Sequence, residues 1–210
     1  MANQSDLVLY HAAPSRSSAV VTLLKELDAP YELRLVDLKA GEQFKPEFLA
    51  INAMGKVPVV VHKGAVITEQ VAIFSYLADL FPAAGLAPGL NDSDRGPYLR
   101  WLAFYGSSFE PAVIDHHMGR EPGLRAMSPY GDFDMMLGTL LGQLAKGRYI
   151  LGERFSAADV LWGSALNWMV AWKLVPENPI FAAYTARHLA RPATIWAHEQ
   201  DQAWRPKKEA

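Results

Sequence analysis

The chain has 210 residues, half of them hydrophobic, and a mean hydropathy near zero, which is typical of a globular protein. Its 20 basic and 22 acidic side chains leave a net charge of −2 without a block of like charge, which argues against nucleic-acid or anionic-membrane binding. It has no cysteine, which excludes disulfides, cysteine metal sites and a protein thiol nucleophile, so any sulfur chemistry must use a ligand's thiol.

No uncharged apolar stretch is long enough to span a bilayer. The first residues also lack the basic start and apolar segment of a signal peptide. We therefore expect a cytoplasmic protein.

The first eighty residues alternate between strand and helix patterns. An apolar run at 7–10 precedes apolar residues at helical spacing over 15–28, and a second alternating run follows at 31–36. Strand, helix and strand imply a parallel pair with a right-handed crossover. A short helix at 47–52, a hairpin at 57–67 and a helix at 69–80 complete a predicted four-stranded mixed sheet with helices packed on it.

The second part of the chain reads as helices. Proline and glycine residues between 81 and 89 end the preceding helix and begin no strand. We therefore place a linker at 83–90, between a first domain at 1–82 and an all-helical domain at 91–210. The predicted helices are 94–118, 130–146, 156–172, 179–189 and 192–198. Ser156 and Asp159 form a capping-box pattern at the start of one of them.

Pro58 stands at the head of a β-branched run, where it cannot donate to a strand ladder. Proline is tolerated only at the start or edge of a strand, so this strand opens with an exposed backbone edge. The Val57–Pro58 linkage is also one where a cis peptide bond costs little. We expect Val57 to offer its backbone N–H and C=O to an extended, peptide-like ligand.

A helix begins near residue 68, with Thr68 as the predicted N-cap. Glu69 and Gln70 then lie at the positive end of this helix, which is suited to a ligand carboxylate. On the residues alone, Glu69 is as readily an acidic first-turn residue that complements the helix dipole.

Ser15 and Ser17 follow the first predicted strand and precede the first helix. A hydroxyl there can donate to a thiolate while the helix end stabilises its negative charge, which lowers the pKa of a bound thiol. The alternative is that either serine simply caps the helix.

Three further observations carry no catalytic prediction. The adjacent His116 and His117 point about 100° apart on a helix and lack a partner at metal-ligand spacing, so we expect no metal. No Gly-x-Ser-x-Gly elbow supports a hydrolase. Trp162, Trp168 and Trp172 are predicted to lie in a helical core.

Taken in order, these motifs resemble the cytosolic glutathione S-transferase family, in particular its bacterial and fungal serine-type members. The resemblance spans the chain and is carried by Ser-Arg-Ser at 15–17, Asn-Ala-Met-Gly-Lys-Val-Pro at 52–58, Thr-Glu-Gln at 68–70 and Phe-Ser-Ala-Ala-Asp at 155–159. It implies an α/β plus all-α protein, with an N-terminal thioredoxin-like domain followed by a C-terminal helical bundle. It also implies a homodimer that activates the thiol of glutathione for attack on a small apolar electrophile, in detoxification.

The resemblance also assigns residues, with glutathione as co-substrate and no other cofactor. It implies Ser15 as the catalytic hydroxyl, with Ser17 second. The implied glutathione-binding residues are Gln43, Lys56, Val57, Pro58, Glu69 and Gln70, and the implied co-substrate pocket is His11, Tyr105 and Phe109. Many relatives have serine at the position of Gln70. The glutamine keeps a hydrogen-bond donor at this position but carries it on a longer side chain.

Two alternatives remain open. One is a glutathione-dependent isomerase or disulfide reductase, although the isomerase branch has Ser-Ser-Cys followed by Trp-Arg-Val-Arg where this chain has Ser-Arg-Ser-Ser-Ala-Val-Val. The other is a non-catalytic ligand- or protein-binding module of the same fold.

Overall fold

A computed structural model of the protein describes residues 6–205. Their contacts group into two compact units. One unit contains the chain up to Ala84 and resumes at Arg191, and the other runs from Gly85 to Ala190.

The first unit is built on a four-stranded mixed sheet, as predicted. Its strands are β1 (Leu7–His11), β2 (Glu32–Leu35), β3 (Val59–His62) and β4 (Ala65–Ile67), in the order β2-β1-β3-β4. β1 and β2 are parallel, while β3 is antiparallel to both β1 and β4. The strand–helix–strand prediction of a parallel pair is therefore confirmed.

Helices cover this sheet with apolar side chains. They are α1 (Ser18–Glu26), α2 (Pro46–Leu49) and α3 (Gln70–Leu80), and short 3₁₀ turns occupy Glu42–Phe44 and Pro82–Ala84. Val20, Val21, Leu23 and Leu24 of α1 are fully buried, as are Ile73, Phe74 and Leu77 of α3. Removal of this apolar surface from water is the main favourable term in folding the unit.

The second unit is helical. α4 (Arg95–Phe104), a π-helical turn (Tyr105–Phe109) and α5 (Glu110–His117) follow one another without a break, then α6 (Phe133–Leu144), α7 (Ala157–Ala171) and α8 (Pro179–Leu189). Trp162 of α7 is fully buried among aromatic rings, and its indole N–H donates to the Trp101 carbonyl at 3.1 Å. Trp172 is 74% exposed, so its predicted place in the core is wrong. It is the C-cap residue of α7, past the last helical turn.

The capping box of α7 is present, and its carboxylate accepts more hydrogen bonds than the local sequence pattern predicts. The Asp159 carboxylate accepts from the Ser156 backbone N–H and hydroxyl at 2.9 Å each, and from the Ile150 N–H and the Tyr184 hydroxyl at 2.7 Å each. Burial raises the pKa of Asp159, against the four hydrogen bonds, which act to lower it.

The last helix, α9 (Pro192–Trp204), packs against α1 and groups with the sheet unit. Arg191 reaches Glu26 of α1 with two hydrogen bonds, of 2.5 and 2.8 Å. The sequence predicts a shorter helix at 192–198, within the helical domain at 91–210. It extends to Trp204 because Asp201 is buried against α1 and Trp204 packs edge-on against the His11 ring. Between residues 6 and 205, no helix is both long and apolar enough to cross a membrane.

Candidate functional site

Three segments that the sequence singles out meet at one end of the sheet. Tyr10 near the end of β1 pairs with Val59 at the start of β3, and Val60 pairs with Ile67 at the end of β4. The turn after β1, the loop before β3 and the start of α3 therefore lie together. A hydrogen bond of 3.1 Å from the Gln70 side-chain amide to the Arg16 carbonyl links two of them directly.

Ser17 is fully buried, and its hydroxyl oxygen is surrounded by partners. It lies 2.7 Å from His11 Nδ1 and 2.7 Å from Ser15 Oγ, and it accepts from the Ala12 N–H at 3.1 Å. The Ala12 carbonyl lies farther off, at 3.3 Å. Because a hydroxyl has one hydrogen and two lone pairs, these neighbours already saturate it.

Ser15 lies beside Ser17 and is only half-buried. Its hydroxyl oxygen accepts from the Ser17 backbone N–H at 3.1 Å and makes the 2.7 Å contact to Ser17 Oγ. Ser17 occupies the N-cap position of α1, but its side chain makes no capping hydrogen bond. Of the two serines, Ser15 is the one whose side chain is open to a ligand.

The loop before β3 is held by Asn52, which is buried. Its side chain donates to the Lys56 carbonyl at 2.8 Å and accepts from the Met54 N–H at 3.1 Å. Gly55 has φ +61°, and a Cβ there would lie 3.0 Å from the Phe44 ring. The Val57–Pro58 bond is cis, and so is Ala13–Pro14. The paired residues of β3 begin at Val59, so Val57 lies beyond the ladder.

The start of α3 differs from the prediction by one residue. The helix begins at Gln70, so Glu69 rather than Thr68 is the N-cap. Glu69 has φ 64° and ψ 121°, its side chain is exposed, and it makes no capping hydrogen bond. A non-glycine residue in this sparsely populated region costs roughly 1–3 kcal/mol, and such residues cluster at functional sites.

The remaining predicted glutathione-binding residues lie around this loop. Pro58 is buried, and Lys56 is exposed. Gln43 lies in the 3₁₀ turn Glu42–Phe44, and its side-chain amide donates to the Leu38 carbonyl at 3.3 Å. Its side-chain oxygen is buried and has no hydrogen-bond partner within the described chain.

The three residues predicted for the co-substrate pocket are buried side chains. Tyr105 and Phe109 pack against Trp162, with ring centroids 5.4 and 4.8 Å from it. His11 is fully buried, and its Nε2 lies 3.0 Å from the Asp201 carboxylate. All three residues are at most 1% exposed. Asp201 could not be identified from the sequence, because its partners Ser18 and His11 lie more than 180 residues away along the chain.

His116 has a packing role, since its ring stacks on Phe133 at 4.0 Å. Over residues 6–205, no group of three histidine, aspartate or glutamate side chains is placed to hold a metal ion.

The four-stranded mixed sheet with its helices, followed by the helical unit, defines a thioredoxin-like protein with an added helical domain. The turn of serines and the start of α3 lie at one end of that sheet.

Comparison with known proteins places the chain within this class. The family description "Glutathione S-transferase, N-terminal domain" matches residues 5–79, and "Glutathione S-transferase, C-terminal domain" matches residues 130–187. Glutathione S-transferase hmp2 of Hypomyces subiculosus is 34% identical over 164 residues, which are 72% of this chain and 77% of that protein. A glutathione S-transferase of Hyoscyamus muticus is 28% identical over 90% of this chain and 97% of its own.

Solved structures agree. A glutathione transferase from Methylococcus capsulatus superposes with a TM-score of 0.78 at 30% identity, over 94% of this chain and 99% of that one. A sphingomonad glutathione S-transferase complexed with glutathione gives 0.73 at 29% identity, over 93% and 98%. The chain belongs to the glutathione S-transferase family.

Proposed function

We propose that the protein is a serine-type glutathione transferase, in which Ser15 activates the thiol of glutathione for attack on a small apolar electrophile. The observation that carries this proposal is the half-buried Ser15 hydroxyl at the start of α1, beside a Ser17 hydroxyl that is already saturated. The absence of cysteine leaves the ligand as the source of the thiol.

Thiol activation would come from two effects at this position. The Ser15 hydroxyl would donate a hydrogen bond to the thiolate, and the N-terminus of α1 would favour the negative charge. Both effects stabilise the thiolate relative to the thiol, so both lower the pKa of bound glutathione. Catalysis would then consist of this activation together with positioning of the two substrates.

Glutathione would lie across the three converging segments. Val57 would pair through its backbone with the extended tripeptide, since it lies beyond the β1–β3 ladder. Glu69 would bind the ammonium of the γ-glutamyl group, while Gln70 and the first amides of α3 would bind its carboxylate. Lys56 and Gln43 border the loop where the glycine carboxylate would lie. The sphingomonad relative complexed with glutathione supports this ligand.

By its resemblance to the family, we also propose that the protein is a cytoplasmic homodimer that acts in detoxification.

The test is an ultraviolet titration of the glutathione thiolate bound to the wild type, Ser15→Ala and Ser17→Ala. We expect the wild type to lower the thiol pKa well below its free value, and Ser15→Ala to abolish this shift. Turnover of an apolar electrophile by Ser15→Ala should fall on the order of 10²-fold, as for the loss of one donor to a developing anion.

Ser107→Ala is the matched control, because this exposed serine donates to the Ala103 carbonyl at 2.8 Å and its other polar contact is with the neighbouring Ser108 hydroxyl at 3.4 Å, so it has no contact with Ser15 or Ser17. An unchanged thiol pKa and turnover in Ser15→Ala would contradict the proposal. Glutathione binding without any pKa shift in the wild type would favour a binding module instead.

A further inference from the structure

A buried chain of polar groups runs from α9 to the proposed catalytic serine. His11 Nε2 lies 3.0 Å from Asp201 Oδ1, and His11 Nδ1 lies 2.7 Å from Ser17 Oγ. Ser17 Oγ in turn lies 2.7 Å from Ser15 Oγ. His11 and Ser17 are fully buried, Asp201 is 6% exposed, and only Ser15 at the end of the chain is half-buried.

The proposed thiol activation, as described so far, assigns no role to His11 or Asp201. Their facing atoms lie 3.0 Å apart without an aligned hydrogen bond, and neither atom has a hydrogen-bond partner among the described residues. The second Asp201 oxygen accepts from the Ser18 hydroxyl. A buried histidine and carboxylate cost free energy to desolvate, so their retention calls for a compensating role.

The hydrogens of this chain can be assigned by counting. Nε2 carries the hydrogen of a neutral His11, because the carboxylate faces that nitrogen. Nδ1 is then an acceptor and takes the hydrogen of the Ser17 hydroxyl. The lone pairs of Ser17 accept from the Ala12 N–H and from the Ser15 hydroxyl. Ser15 accepts from the Ser17 N–H, which leaves it one lone pair for a ligand's S–H.

We propose that His11 takes the proton of the glutathione thiol through Ser15 and Ser17. The S–H bond breaks as its hydrogen passes to the Ser15 oxygen, the Ser15 hydrogen passes to Ser17, and the Ser17 hydrogen passes to His11 Nδ1. One S–H bond is lost and one N–H bond is formed, while each hydroxyl loses one hydrogen and gains another. This inference rests on the proposed function, since it names the acceptor of the proton that Ser15 removes.

The positions of these groups also fit the state after the proton transfer, with a thiolate at Ser15 and a protonated His11. Every hydrogen bond of the chain is reversed, so that His11 donates to Ser17, Ser17 to Ser15 and Ser15 to the new thiolate. The imidazolium lies against the Asp201 carboxylate, so a carboxylate faces the imidazolium as in a Ser-His-Asp triad, with the roles of the two ring nitrogens interchanged. His11 and Asp201 do not touch glutathione and act through the serines.

The other groups around the pair do not compete for the proton. Burial and the Asp201 charge raise the pKa of Tyr31, so this phenol stays neutral. The Ser18 hydroxyl donates to Asp201, and the Trp204 ring packs edge-on against His11 at 5.5 Å.

The deciding measurement is the number of protons released when glutathione binds near pH 7, in weakly buffered solution, alongside the thiolate absorbance. Release on binding of S-methylglutathione, which has no thiol proton, is subtracted. In the wild type we expect thiolate to form with almost no net proton release, because His11 keeps the proton. Release of one proton for each thiolate formed would overturn the proposal.

His11→Asn separates proton transfer from packing, because its amide oxygen can still accept from Ser17 but cannot take a proton. We expect its bound thiol pKa to rise, its turnover near pH 7 to fall about 10²-fold, and each thiolate formed to release one proton. The matched control is Glu26→Gln, which removes a carboxylate from the same α1–α9 contact but not from the chain of hydroxyls. It should behave as the wild type in both measurements.

Asp201→Asn is the second variant, should His11→Asn not fold. Its bound thiol pKa should also rise, while its affinity for S-methylglutathione should match that of Glu26→Gln. If Ser15→Ala loses thiol activation but both His11→Asn and Asp201→Asn keep it, the inference fails and the proposed function stands. If the wild type does not lower the thiol pKa at all, both fail.

Discussion

Glu69, which lies at the proposed glutathione site, has a backbone conformation that non-glycine residues rarely adopt. Its φ of 64° with ψ of 121° is disfavoured for any residue with a Cβ. Its side chain makes no capping hydrogen bond that would offset the cost of this conformation. This backbone conformation sets the direction in which the chain enters the first turn of α3. This is the pattern expected where backbone geometry serves a ligand.

Comparison of Glu69→Gly with Glu69→Ala tests this interpretation. Glycine accepts the positive φ without a Cβ clash, whereas alanine keeps the clash, so we expect the glycine variant to be more stable by about 1 kcal/mol. Both variants should bind glutathione more weakly, because both lose the carboxylate. Chemical denaturation gives the free energy of unfolding, and calorimetric titration gives the affinity. Equal stability of the two variants would argue against strain at this residue.

At the scale of single elements, α7 depends on one buried carboxylate. Asp159 joins the start of α7 to the Ile150 backbone and to Tyr184 of α8. Burial and the Asp159 charge raise the pKa of Tyr184 well above its usual value, so the phenol remains a donor at neutral pH. The helix start is thereby fixed to two other parts of the helical unit.

Asp159→Ala should therefore destabilise the protein by about 3 kcal/mol or more, because it leaves several buried donors without an acceptor. Asp132→Ala is the matched control: Asp132 caps α6 through a single 2.8 Å bond to the Met135 N–H and is exposed. We expect it to cost only about 1 kcal/mol. Thermal unfolding of both variants gives the comparison, and similar losses would contradict the proposed role of Asp159.

The elements differ in how far the sequence predicts them. The strands and the box at Ser156 and Asp159 were predictable because their signals are local, namely alternation and a three-residue spacing. The end of α9 was not, because residues 199–203 are mostly polar and Asp201 is buried only through contacts made 183 and 190 residues away. The site shows the same contrast, since Ser15 and Glu69 lie in local motifs while Asp201 and Trp204, which contact His11 from α9, do not.

At the scale of the whole molecule, the chain rejoins its first unit from Arg191 onward. The contact between Arg191 and Glu26 is partly buried and doubly hydrogen-bonded, so it is stronger than an exposed ion pair. It fixes α9 to α1 close to the point where α9 begins.

A charge exchange across this contact tests its contribution. Glu26→Arg and Arg191→Glu alone should each lower the thermal midpoint, since each places two like charges together in a partly buried contact. The double variant should recover most of the loss, and the difference measures the coupling between the two residues. Additive losses in the double variant would show that the pair does not hold α9.

The placement of α9 also bears on the order in which the protein can fold during synthesis. The helical unit is one uninterrupted stretch, Gly85 to Ala190, and is complete once that stretch has left the ribosome. The sheet unit emerges first but lacks α9 until residues 192–204 are translated, and until then α1 and His11 are without their partners on α9. The earlier part of the chain is therefore finished later, and His11, the proposed proton acceptor, meets Asp201 only after α9 has been translated.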